Sequence, residues 1–360
     1  MAAASAHFYL GANTPAGFYS LYDQLIAPAS AEAIFILKGG PGCGKSSLMR
    51  RAAEDISARG EMVEYIHCSG DPDSLDAVFF PRLKTAIVDG TAPHIIEPQY
   101  PGVIEQYVCL GNCYNTEALK NLRTEVFTLT AAYKSYYSRA YRILDAACQV
   151  LGDLPDSFLS PTAVGRMEKR IHSIAAREFK KTGNAPGTIT KRFLGGVTSQ
   201  GVLCRFDTAE TLCDRIYEIV DNHRLASPTL QFLQEAATAV GLDVITCPSP
   251  LCPKRLEHLL IPALSLGFVT STDMVPYEGH SFRRIRLDAL IQTEALRKNR
   301  AKLRFSKKVS RLLIEEAVSA LSQAKFYHDE LEALYNPYVD FSAVYETGDK
   351  IAKQITQTIS

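Results

Sequence analysis

Residues 39–46 read GGPGCGKS: Gly39, Gly40, Pro41, Gly42, Cys43, Gly44, Lys45 and Ser46, with Ser47 following. Glycines let successive backbone N–H groups turn toward one point, and let an anion approach with no Cβ in the way. A lysine at the end of such a loop adds a point charge, and the serine hydroxyl after it can ligate Mg²⁺. The pattern is the G-x-x-x-x-G-K-[ST] phosphate loop, and the chemistry it suits is the binding of a nucleoside triphosphate with Mg²⁺. Cys43 sits where a helix is predicted to begin, an environment that lowers a thiol pKa, so it is the cysteine to watch for oxidation.

Such a site also requires a carboxylate at the end of a neighbouring strand to hold the magnesium shell. LKTAIVDGT supplies one: Ala86, Ile87 and Val88 form an apolar run, Asp89 ends it and Gly90 turns the chain. Ser46 and Asp89 are therefore the predicted metal residues, although an apolar run ending in Asp-Gly is also an ordinary strand-to-turn signal. In HCSGDPDS, His67, Asp71 and Asp73 have the chemistry to bind an acceptor or take its proton. Asp-Pro-Asp-Ser equally suits the start of a helix, with Asp73 or Ser74 as its cap. Thr91 and His94 follow Asp89 closely enough to meet a γ-phosphate, while Pro93, Pro98 and Pro101 suit a stiff surface loop. Lys45, Asp89, Asp71, Asp73 and His94 make up the predicted catalytic set.

These residues need elements to position them. EAIFIL reads as a short buried strand, and SSLMRRAAEDISARG as a helix whose stripe is Leu48, Ala52, Ala53 and Ile56, stopped by Gly60. Met62 to Cys68 reads as a further strand, followed by a polar turn and a helix before the strand that ends at Asp89. The resulting β-α-β-α-β order predicts a parallel sheet with right-handed crossovers.

The chain then repeats itself. FYLGANTPAGF recurs as RFLGGVTSQGV, with Gly17 matching Gly201. GEMVEYIHCSGDPDSLDAVFFPRL recurs as GLDVITCPSPLCPKRLEHLLIPAL, with Pro81 matching Pro262. The second pair of segments stands at a slightly smaller offset than the first, and the interval in which the offset shrinks contains the phosphate loop. In the second copy Ser227 aligns with Ser46, but Ala226 replaces Lys45, Leu225 replaces Gly44 and Thr270 stands where Asp89 stood. One nucleotide site per chain is expected.

The predicted fold is α/β: a P-loop NTPase-type parallel sheet with flanking helices, duplicated in tandem, each half followed by a helical segment, the second half lacking the loop. The expected boundaries are 1–115 for the first α/β half, 116–182 for its helical segment, 183–290 for the degenerate half and 291–360 for the last helical segment. KKTGNAPGTITK is the expected linker. Tyr133, Tyr137, Tyr141 and Tyr335 read as packing between helices. The run from Arg297 to Arg311 holds eight Lys or Arg in fifteen residues. It reads as a solvated helix face, with a protein partner, a nucleic acid, or an arginine reaching the nucleotide as the functional alternatives.

With 39 basic and 39 acidic residues, the average field attracts neither nucleic acid nor an anionic membrane. No apolar run reaches the roughly 18–20 residues of a membrane span, and the start of the sequence lacks a basic region followed by an apolar one, so a cytoplasmic protein is expected. Nine scattered cysteines without a Cys-x-x-Cys pair point to reduced thiols rather than a zinc site or a disulfide framework.

GGPGCGKSSLM, HCSGDPDSLDAV, AIVDGTAPHIIEPQYPG and FLGGVTSQG together resemble an uncharacterised bacterial family of tandem P-loop ATPases or ATP-binding proteins, built from two related halves. The resemblance covers the whole chain. It implies ATP binding and supplies no substrate. Both halves carry a loop in some members of that family, so the eroded second loop is a departure that weighs against two working sites. With no Asn-Lys-x-Asp guanine reader in the sequence, ATP is favoured over GTP. The leading expectation is a Mg-ATP-dependent ATPase whose second half regulates it or docks a partner; the alternatives are a small-molecule phosphotransferase and an ATP-switched interaction protein.

Overall fold

The computed structural model describes residues 5–181, 183 and 185–357. Residues 182 and 184 of the expected linker, the expected boundary at 182, and the first four and last three residues lie outside it. The first lobe contains β1 (Ser5–Tyr9), the hairpin β2 (Gly11–Thr14) and β3 (Gly17–Ser20), β4 (Ala33–Lys38), α1 (Lys45–Ala58), β5 (Val63–His67), β6 (Leu75–Phe80), β7 (Thr85–Asp89) and β8 (Glu105–Cys109). Helices α2 (Thr116–Lys120), α3 (Arg123–Leu151) and α4 (Pro161–Glu178) follow. The second lobe contains β9 (Ile189–Lys191), the hairpin β10 (Gly195–Thr198) and β11 (Gly201–Cys204), α5 (Phe206–Leu212), β12 (Arg215–Val220), α6 (Ala226–Ala239), β13 (Val244–Ser249), β14 (Cys252–Ile261), β15 (Leu266–Ser271) and β16 (Arg283–Arg286). Helices α7 (Thr293–Tyr335) and α8 (Phe341–Gln357) end the described chain.

The molecule is two-lobed and α/β, with a six-stranded mixed sheet in each lobe. The orders are β1-β5-β6-β7-β4-β8 and β9-β13-β14-β15-β12-β16. In each, the third strand runs antiparallel to its neighbours and the other pairings are parallel. This corrects the expected all-parallel sheet. The predicted helix after HCSGDPDS is strand β6, with five of its six residues buried. Leu-Asp-Ala-Val-Phe-Phe is short, apolar on both faces and aromatic at its end, which favours a central strand over a helix. Ser74 therefore caps no helix; its hydroxyl donates to the Asp71 carboxylate at 2.8 Å. The end of the expected linker is likewise a strand, since β9 pairs with β13.

Helix α1 forms where Leu48, Met49, Ala52, Ala53 and Ile56 make one buried stripe, and it ends at Gly60, whose φ of 90° suits a residue without Cβ. Its counterpart α6 buries Leu230, Leu233 and Ala237 in the same way.

Matching hydrogen bonds recur at the offsets read from the sequence. Thr14 Oγ1 donates to Gly17 O and Thr198 Oγ1 to Gly201 O. Leu75 N donates to Ser46 Oγ at 3.0 Å, and Leu256 N to Ser227 Oγ at 3.1 Å. Between the lobes, Tyr9 and Phe193 exchange reciprocal backbone bonds of 2.9 Å. Arg192, 1 % exposed, reaches from the second lobe into the first, donating to Glu64 Oε2 and to the carbonyls of Gln24 and Leu25. Its charge is paired and its N–H groups are used, the condition under which a buried guanidinium is tolerated.

The helical segments cross over. Helix α8 packs on α1 of the first lobe, while α4 packs on α6 of the second. The long helices α3 and α7 meet through Ala140, Leu144, Ala147, Ala317, Ala320 and Leu321. The segment that follows each lobe in sequence thus covers the other lobe in space. Edge-on and tilted rings join Tyr133, Tyr137 and Tyr141 within α3, and Tyr335 meets Tyr114 edge-on at 5.7 Å.

Candidate functional site

The strand β4, the turn Gly39–Gly44 and the helix α1 stand in the order the motif requires. Gly42 and Gly44 adopt φ of 67° and 80°, where a side chain is strained. A Cβ on Gly39 would lie 2.6 Å from Cys43 Sγ. That residue is 1 % exposed, so Cys43 fills the underside of the loop and is not open to oxidants. Pro41 is held from outside, its carbonyl accepting from Tyr114 Oη at 3.3 Å.

Lys45, the first residue of α1, donates to the carbonyls of Gly39 and Gly40 at 2.9 Å each. Its ammonium lies 3.5 Å from Asp89 Oδ2 at the end of β7. Parallel pairing of β4 with β7, with Leu37 opposite Asp89, brings these residues together. Asp89 Oδ1 also accepts from Thr91 N at 2.8 Å and from Thr91 Oγ1 at 2.6 Å. Burial works to raise the Asp89 pKa, but His94, Lys45 and Thr91 together hold it below the usual carboxylate value.

His94 lies inside the site rather than on a surface loop. Its ring stacks on Tyr22 at 4.7 Å, and its Nε2 is 3.8 Å from Asp76 Oδ1 and 4.0 Å from Asp89 Oδ2. Among the described residues neither ring nitrogen has a hydrogen-bond partner, although the residue is only 6 % exposed. Burial opposes its protonation, yet the Asp76 and Asp89 carboxylates outweigh that and raise its pKa. Asp76, raised by burial, accepts from Tyr22 Oη at 2.6 Å. Tyr22 and Asp76 were not among the predicted site residues. Asp76 left one signal, a lone acid inside an apolar strand; Tyr22 left none.

Ser46 points to the same end of the sheet, with its Oγ bonded to Leu75 N. Because Ser227 makes the same bond where there is no lysine and no glycine loop, this contact serves the fold in both lobes. Ser47 follows it in the first turn of α1. The remaining candidates are engaged elsewhere. Asp71 pairs with Lys325 of α7 at 3.6 Å, and Asp73 Oδ2 accepts from Gln200 Nε2 at 2.7 Å. Among the described residues neither hydrogen-bonds nor ion-pairs with Lys45 or Asp89. His67 is buried against His7 and Arg205, and burial foremost, with the Arg205 charge, pushes its pKa down to about 4.

The loop is also held by the end of the chain. Gly42 N donates to Glu332 Oε1 at 3.2 Å, and a Cβ on Gly42 would lie 2.9 Å from Glu332 O. Phe341 and Val344 of α8 pack beside Gly44, and Arg51 of α1 pairs with Asp349 of α8 at 3.0 Å.

At the matching place in the second lobe, the turn Asp221–Leu225 folds its own carboxylate back. Asp221 Oδ2 accepts from Ala226 N at 2.7 Å and Asp221 Oδ1 from His223 N at 3.0 Å. Thr270 is occupied by the strand beside it, its N–H donating to His258 Nδ1 at 3.1 Å.

No helix among the described residues is long and apolar enough to cross a membrane, and the nine cysteines are free. Comparison of the chain with known protein families, curated proteins and solved structures finds no match.

Proposed function

We propose that the chain is a P-loop ATPase that binds Mg-ATP at one site, in the first lobe, and that its second lobe is a degenerate copy of the first. The observation that carries this reading is the 3.5 Å approach of Lys45 Nζ to Asp89 Oδ2 at a glycine turn that opens a helix. A cation and a carboxylate meet where backbone N–H groups and a helix N-terminus favour an anion, and the next residue, Ser46, carries a hydroxyl. The donor set fits the ligand: the N–H groups of the Gly39–Gly44 turn, other than Pro41, and Lys45 would take the phosphates, and Ser46 and Asp89 would hold Mg²⁺. The metal supplies charge neutralisation on the phosphate oxygens when bound.

The chain's own residues divide the remaining work. Lys45 is kept close to the loop by Asp89 and the carbonyls of Gly39 and Gly40. Thr91 fixes the Asp89 carboxylate with two hydrogen bonds. His94, closed off from solvent by Tyr22 and Phe18, stands between two carboxylates that favour its protonated form beside Asp89. Glu332 and α8 join the loop to the long helix leading back to the second lobe, which is how that lobe would regulate the site.

The test follows the γ-phosphate of labelled Mg-ATP, and of Mg-GTP in parallel, with protein alone and then with a small-molecule cell extract. Free labelled phosphate from protein alone, lost in Lys45→Ala, is the expected result. Label moved onto a metabolite only when extract is present would replace the ATPase reading with a phosphotransferase. Two bound nucleotides per chain would overturn the single site.

A further inference from the structure

We infer that the second lobe binds a small anionic molecule with an apolar body, in a large cavity between the carboxyl ends of its sheet and the basic first half of α7. The cavity measures about 990 Å³, at the upper end of the range that small-molecule sites span. It lies over the Asp221–Leu225 turn and the end of β15, the crevice in which open α/β sheets bind ligands. Its walls come from three places: the C-terminal end of α3, the strand ends of the second lobe, and α7.

Two features define the occupant. Leu203, Phe206, Leu251, Met274, Leu296 and Leu303 give the cavity a broad apolar lining. Arg297, Arg300, Lys302 and Arg304 line it too, and among the described residues none of these four has an ion-pair partner. The other cations facing it are paired: Arg224 and Arg255 share the single carboxylate of Asp153, and Lys307 pairs with Asp273. The acids deepest in the wall are muted. Asp221 is held by two backbone N–H groups, and burial pushes the Glu257 pKa up to about 7. Four uncompensated positive charges over apolar walls suit a phosphorylated, sulfonated or carboxylated molecule carrying an aromatic or aliphatic body. A triphosphate seated on the α6 N-terminus is disfavoured, because Asp221 already occupies that anion position. The charged run read from the sequence as a solvated face thus has a defined surface to act on.

The probe is 8-anilinonaphthalene-1-sulfonate, an aromatic sulfonate of this class, followed by fluorescence titration of the full chain. Saturable uptake of one equivalent is expected, weakening as salt rises. The double variant Arg300→Ala/Arg304→Ala should lower affinity at least about tenfold, given the strength of charged hydrogen bonds. Arg300→Lys/Arg304→Lys should retain most of it, and Ser306→Trp, which fills the cavity from α7, should abolish it. Circular dichroism identical to wild type in each variant controls for folding. Lys45→Ala should bind the probe as wild type does, which separates this site from the nucleotide site. Non-saturable binding, binding unchanged in both the alanine pair and Ser306→Trp, or loss of binding in Lys45→Ala would overturn the inference.

Discussion

The two lobes build the same strand, turn and helix, and treat the helix N-terminus in opposite ways. Six residues, Gly39–Gly44, join β4 to α1; five, Asp221–Leu225, join β12 to α6. In the first lobe two glycines take positive φ, the charged groups beside the turn are Lys45 and Asp89, and the carboxylate that meets a turn amide, Glu332 on Gly42 N, comes from α7 rather than from the turn itself. In the second, Arg224 takes a φ of 62° without being glycine, and Asp221 supplies the negative charge from within the chain. An internal carboxylate at a helix start satisfies the same orphan amides that a bound anion would. The lesson is that the second lobe does not merely lack the glycine turn: it carries a residue that makes a ligand at that position unnecessary for the fold.

The sharpest way to break this comparison is Lys45→Ala. If the lysine stabilises developing charge on the phosphate, phosphate release should fall by at least about 10²-fold, the loss typical of removing one such donor. Wild-type turnover would mean that the two turns do not differ in function. Next in size is Asp221→Ala, which leaves the Ala226 amide buried without its acceptor. It should cost about 1–3 kcal/mol in denaturant unfolding while phosphate release stays unchanged. A stability unaffected by that change would remove the internal-anion argument.

The histidines sharpen the contrast further. His94 is raised by two carboxylates against the pull of burial, whereas His258 in the second lobe is pushed down to about 3 by burial alone. Ring proton NMR should show His94 titrating above the ordinary value near 6.5, and His258 neutral down to strongly acid pH. By linkage, the His94 contribution to stability is full below its unfolded value and is lost as pH rises through its raised folded value. The His258 contribution is present above the unfolded value and is lost as pH falls toward its depressed folded value. The smallest effect concerns the shared serines. Ser46→Ala and Ser227→Ala should each cost about 0.5–1.5 kcal/mol by losing one hydrogen bond to a strand amide. Mg-dependent turnover should fall only in Ser46→Ala; equal loss in both would implicate the second lobe in catalysis.

Much of the site was legible because its parts are local. A strand, a glycine turn and a helix follow one another without interruption from Ala33 to Ala58, and leave their marks in spacing and composition. Asp89 was legible for the same reason, as the polar end of an apolar run. Strand β6 was misread because Asp-Pro-Asp-Ser is good cap chemistry. What decides its conformation is burial of both faces between β5 and β7, which no local window contains. His94 was ambiguous for a similar reason: its prolines suggest a surface loop, while Tyr22 and Asp76, distant in sequence, place it inside.

By itself, the sequence determined the glycine turn and the helix behind it, the matching of Gly17 with Gly201 and of Pro81 with Pro262 in similar segments, and the absence of lysine and glycine from the corresponding place in the second lobe. These are properties of residue type and spacing. Tertiary structure alone decided that the third strand of each sheet runs antiparallel, that α8 covers the first lobe and α4 the second, that Asp221 folds back on its own helix, and that the basic half of α7 lines a cavity. Each of these rests on how separate segments meet in space. Such contacts are selected by which buried faces and charges fit together, and periodicity in a single segment carries no record of them.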